Sequence, residues 1–139
     1  MRNLKWCVLA TLAFAASAAN AEVVVIVNPK NAAASLSADQ ISALYLGNAT
    51  TFPDGSAAAL SDQPEAAGIR GDFYQKATGR SSAQAKATWA RLTFTGKATP
   101  PKELKSDAEV KAFVAADPKA IGYIDSSAVD GSVKAVAKL

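Results

Sequence analysis

The chain has no histidine and a single cysteine, Cys7, among its 139 residues. Without an imidazole there is no Ser–His pair, no base titrating near neutrality and no histidine metal ligand. One cysteine closes no intramolecular disulfide and builds no thiolate metal site. The aspartates are scattered: Asp54 and Asp62 are too far apart for a calcium loop, which needs carboxylates at alternate positions. Phosphate-loop chemistry is missing as well. No G-x-G-x-x-G occurs, and Gly96-Lys97 lacks the glycine five residues earlier, where Arg91 stands. These absences lead us to expect a protein that is not an enzyme and that holds no cofactor and no metal.

What is present begins with a leader. Met1–Lys5 carries Arg2 and Lys5, an apolar stretch follows to Ala16, and Ala19-Asn20-Ala21 is a small-x-small cleavage signal. This is the three-part build of a secretory signal peptide, and its apolar run is short of the ~20 residues a bilayer span needs. We expect residues 1–21 to be a cleaved signal peptide, which would take Cys7 with it, and residues 22–139 to be one exported, periplasmic domain. Cleavage would leave 118 residues with 13 Lys+Arg against 12 Asp+Glu. A net charge of +1 offers no electrostatic footprint for nucleic acid. With no disulfide available, a hydrophobic core must hold the domain, and the length suffices for one.

Strand and helix patterns then alternate. Val23–Val27 is a continuous β-branched run ended by Asn28-Pro29, which points to a strand covered on both faces. Ser37 and Gln40 form a capping box, with Leu36 and Ile41 as the staple around it and Gly47 as the stop. Phe52-Pro53-Asp54-Gly55 is turn chemistry. Ala57–Leu60 is a strand candidate, and Asp62 is placed to cap the next helix, with Pro64 in its first turn. Ile69, Phe73 and Ala77 share a helical stripe closed by Gly79. A second capping box, Ser81 with Gln84, opens a helix carrying Ala85, Trp89 and Leu92 on one face and ending by Gly96. Trp89 and Phe94 both fall in apolar patterns and are expected in the core. Ser106 with Glu109 is a third capping box, for a helix burying Val110, Phe113 and Val114 and ending at Asp117-Pro118. Ala120–Ile124 and Val133–Val136 complete the strands. The alternation predicts a three-layer α/β domain.

The chemistry left to such a chain is binding. Helix N-termini present free amides and a positive dipole end to anions, although each capping serine has a purely structural reading as well. Arg70 is either an anion clamp or a solvated surface charge.

Together these residues resemble a known family. Val23–Asn28 leading into Leu36-Ser37-Ala38-Asp39-Gln40-Ile41 and Tyr45-Leu46-Gly47 is similar to the opening of the phosphate-binding proteins of ABC transporters. Ala120-Ile121-Gly122-Tyr123-Ile124 looks like the G-A-I-G-Y-V strand in their second lobe. The resemblance implies one lobe of a type II periplasmic-binding-protein-like fold. It implies a substrate-binding role connected with ABC transport, with phosphate or another small anion as ligand. The family's loop R-x-D-x-S-G-T corresponds here to residues 59–65. Only its aspartate is matched, by Asp62, while Glu65 adds a negative charge. The ligand-binding residues expected are Asp62, Gln63, Arg70 and Asn28, at the loop ends of the sheet. A lone lobe closes no cleft, so the expected partners include a second copy of the chain, an ABC transporter membrane component or another envelope protein. The alternative function is an interaction module that kept the lobe and lost the ligand.

Overall fold

The computed structural model describes residues 22–139, so the expected signal peptide lies outside the described residues. Its elements, in order, are β1 (Val23–Val27), α1 (Ala38–Tyr45), β2 (Ala59–Asp62), α2 (Gly68–Thr78), α3 (Ser82–Phe94), β3 (Lys102–Glu103), α4 (Asp107–Ala116), β4 (Ala120–Asp125) and β5 (Lys134–Lys138). One five-stranded sheet has the order β3-β2-β4-β1-β5. β2 pairs in parallel with β3 and with β4, and β1 runs antiparallel to both of its neighbours, β4 and β5.

The alternation of side chains along β1 divides the core in two. Val23, Val25 and Val27 face α1 and α2 together with Ile121 and Tyr123, while Val24 and Ile26 face α4 through Val110 and Val114. All five β1 residues are buried, as a central strand between two helical layers requires. The molecule is a three-layer α/β lobe.

Local signals set the helix limits. Ser37 and Ser81 each accept from the amide three residues on, and Gln40 and Gln84 each reach back to the serine's amide. Gly47, Gly79 and Gly96 all have positive φ just past a helix end, the conformation glycine adopts without a Cβ penalty. At α4 the box is only half made. Ser106 Oγ accepts from the Glu109 amide, but the Glu109 carboxylate takes the Lys105 amide instead of that of Ser106.

Other expectations need correction. β2 begins two residues later than the Ala57–Leu60 reading and ends at Asp62, so Asp62 is a strand residue and caps no helix. α2 starts six residues further on, with Ala67 as N-cap and no side-chain cap. Two parallel neighbours, β3 and β4, draw this polar segment into the sheet. Phe94 is 92% exposed. It lies five residues after the buried Trp89, about 140° round an α-helix, and so leaves the buried face. Phe113 is only half-buried.

Candidate functional site

The three parallel strands end together. Asp62, Glu103 and Asp125 are the last residues of β2, β3 and β4, at the edge where open α/β sheets place ligands. Asp62 is buried, and its carboxylate is enclosed by donors. The Tyr123 hydroxyl and the Gln63 amide donate to Oδ1, and the Tyr74 hydroxyl donates to Oδ2 at 2.5 Å. Arg70 Nε lies 4.0 Å from Oδ1. A buried carboxylate is tolerable only with such compensation.

Arg70 comes from the first turn of α2 and is only 7% exposed. The solvated-charge reading is therefore overturned: the side chain turns inward and lies over Tyr74, 5.7 Å from the ring centroid. Its Nη1 donates to the Gln63 carbonyl at 2.9 Å, while its buried Nε has no hydrogen-bond partner. Gln63 is spent on structure. Its Nε2 bridges Asp107 Oδ1, at 2.7 Å, and the Tyr123 carbonyl, at 3.0 Å, tying β2 to β4 and to the start of α4.

A second ring of contacts fixes the tyrosines. Phe73 stacks on Tyr123 at 4.0 Å, and Tyr45 meets Phe73 edge-on at 4.7 Å. The Tyr45 hydroxyl donates to the Ser61 carbonyl, and Trp89 Nε1 donates to the Tyr45 carbonyl. Burial, and next the charge of Asp62, push all three tyrosines well above the ordinary phenol range.

Beside this cluster opens a cleft of about 330 Å³, whose walls include Asp62, Arg70, Trp89 and Pro101. Glu65, Lys86 and Glu103 also line it. Lys86 Nζ sits 2.9 Å from Glu65 and holds that carboxyl below its usual range. The cleft thus presents three carboxylates against two cations, an arrangement that favours a ligand able both to accept from Arg70 and to donate to a carboxylate.

Of the four residues expected at the site, the fold brings three together, Asp62, Gln63 and Arg70. Asn28 is at the other end of the sheet. Because β1 runs antiparallel to β4, with Val27 opposite Ile121 and Val23 opposite Asp125, the end of β1 points away from the ends of β2 and β4. There Asn28 Nδ2 donates to the Val114 and Ala115 carbonyls, closing the C-terminus of α4. The sequence reading missed Tyr74, Tyr123, Lys86 and Glu103. Tyr123 had a signal: it alternates with Ile121 on the helix-covered face, and a buried phenol needs a polar partner.

No family model and no curated protein matches the chain. Among solved structures it is similar to a protein assigned as a phosphate ABC transporter substrate-binding protein, from Clostridium perfringens, with phosphate bound. That match has a TM-score of 0.68 at 22% identity and covers 83% of this chain and 44% of the other. It is also similar to an ABC-type phosphate transport receptor from Vibrio cholerae, with a TM-score of 0.65 at 21% identity, over 83% of this chain and 45% of that one. The lobe therefore has the periplasmic-binding-protein-like fold, and the chain spans less than half the length of the proteins it matches.

Proposed function

We propose that the chain is an exported, periplasmic, single-lobe substrate-binding domain that takes phosphate or another small oxyanion. Arg70 is the contact residue, and the domain works in connection with an ABC transporter. The observation that carries the reading is Arg70, which lines the cleft at the ends of the parallel strands and whose Nε, although near Asp62, makes no hydrogen bond. The likeness to phosphate-binding proteins supports it. No catalytic role is assigned to any residue. Because Asp62, Glu65 and Glu103 line the same cleft, an oxyanion that carries a proton fits better than one that does not: it donates to a carboxylate while its other oxygens accept from Arg70. Hydrogen phosphate meets that condition and sulfate does not. Opposite the described lobe, a second copy or a transporter component supplies the facing wall.

The competing reading is an envelope interaction module that binds no small ligand. It is favoured by one observation: the hydrogen bonds of Asp62 and Gln63 are already satisfied inside the lobe. Thermal unfolding with and without phosphate and sulfate separates the two. Phosphate at a hundred times its dissociation constant stabilises the fold by about 2.7 kcal/mol, a shift of several degrees. We expect that shift with phosphate, none with sulfate, and loss of the shift in Arg70→Ala. No shift with any anion at millimolar concentration leaves the interaction module as the function.

A further inference from the structure

A second cleft is larger than the one beside Arg70. It has a volume of about 730 Å³ and lies between the ends of α1 and α3, the outer edge of β2 and the near side of α4. Leu44, Leu60, Trp89 and Phe113 are the large apolar side chains that line it, beside polar surface of nearly equal extent, and no aspartate or glutamate lines it. Two lysines do, Lys97 and Lys102. Both are exposed, Lys102 Nζ sits 5.6 Å from the Phe113 ring centroid, and neither joins an ion pair among the described residues.

Two helices end at this cleft, which would ordinarily bring unpaired carbonyls and negative dipole ends to it. Here several of those carbonyls have donors. The Ala43 carbonyl takes the Asn48 and Ala49 amides, the Leu92 carbonyl takes Lys97 N, and the Arg91 carbonyl takes Thr95 N and Oγ. These three carbonyls are therefore already occupied, and the charged side chains that line the cleft are both positive. The contrast with the neighbouring cleft is chemical: three carboxylates line that one and none lines this one, while Trp89 and Pro100 belong to both walls.

We infer that this larger cleft is a second binding site, for an amphipathic carboxylate: an apolar chain or ring seated on Trp89, Leu60 and Phe113, with its anionic head between Lys97 and Lys102. The volume lies within the range of small-molecule sites, and large apolar side chains together with a few charged groups that fix orientation are features of such sites. The site is separate from the oxyanion site and does not depend on it.

The test is calorimetric titration of the protein with octanoate, octanol and octylammonium. Saturable binding of octanoate at a single site is expected, about tenfold tighter than octanol, a gain of the size that two solvent-facing lysines supply. Octylammonium should bind more weakly than either. Lys97→Glu with Lys102→Glu should abolish the preference for octanoate, and Ala98→Phe, which fills the cleft from its exposed loop, should abolish binding. Millimolar phosphate should leave octanoate binding unchanged. Equal binding of octanoate and octanol, or indifference to the lysine substitutions, overturns the assignment. So does elution of the protein as a dimer that Ala98→Phe turns into a monomer, because a second copy would then occupy the cleft.

Discussion

All three tyrosines of the chain belong to the buried cluster around Asp62, and this makes alkaline pH the sharpest probe of the site. A phenol in the unfolded chain ionises near pH 10. In the fold, burial and then the Asp62 charge raise Tyr45, Tyr74 and Tyr123 well above that value. A raised folded pKa means that the contribution is fully present below the unfolded pKa and is lost as pH rises beyond it. Above pH 10 the unfolded state releases protons that the folded state keeps, so stability falls. Each tyrosine costs about 1.4 kcal/mol per pH unit, so three cost about 4 kcal/mol at pH 11 and about 8 at pH 12. A domain of this size has about 5–15 kcal/mol in total. The lobe should therefore unfold cooperatively between about pH 11 and 12, with near-ultraviolet tyrosinate absorbance appearing in the same step as the loss of circular dichroism. Tyr45→Phe should reduce the slope by about a third, because one of three equal contributions is gone. Smooth ionisation near pH 10 with the dichroism unchanged would refute the buried, hydrogen-bonded cluster.

Two further outcomes concern the frame around the site. Asn28→Ala strips the donors from the Val114 and Ala115 carbonyls and should cost about 1–3 kcal/mol. It should leave any phosphate-dependent stabilisation intact, and an unchanged urea midpoint would argue against its capping role. Gly122→Ala puts a Cβ 2.5 Å from both Ser61 Oγ and Val110 Cγ1, where β2 and α4 press on β4. Overpacking of that kind costs about 1–3 kcal/mol, read as a lower denaturation midpoint at unchanged slope. A variant as stable as the parent would mean that α4 sits farther from the sheet.

The sequence by itself determined what is decided within about one helical turn. A serine with a glutamine three residues on closes its own hydrogen bonds at Ser37 and Ser81 wherever the helix later packs. A glycine past the last turn is free to take positive φ at Gly47, Gly79 and Gly96. The β-branched run at Val23–Val27 declared a strand buried on both faces, and the order of these elements carried the lobe.

Direction and depth were decided only by the tertiary structure. Nothing in Val23–Val27 tells which way β1 runs, and its antiparallel course sends Asn28 to the end of the sheet opposite Asp62. Asp62 has the composition of a helix cap, yet pairing on both sides of β2 makes it a strand residue. Arg70 next to Ile69 reads as a surface charge until Asp62 and Tyr74 supply partners that permit its burial. Tyr74 and Tyr123 are 49 residues apart in the chain, and only the packing of α2 on β4 brings both hydroxyls to one carboxylate. A capping bond needs only its immediate neighbours, whereas the surroundings of a buried charge come from segments that meet when the chain folds.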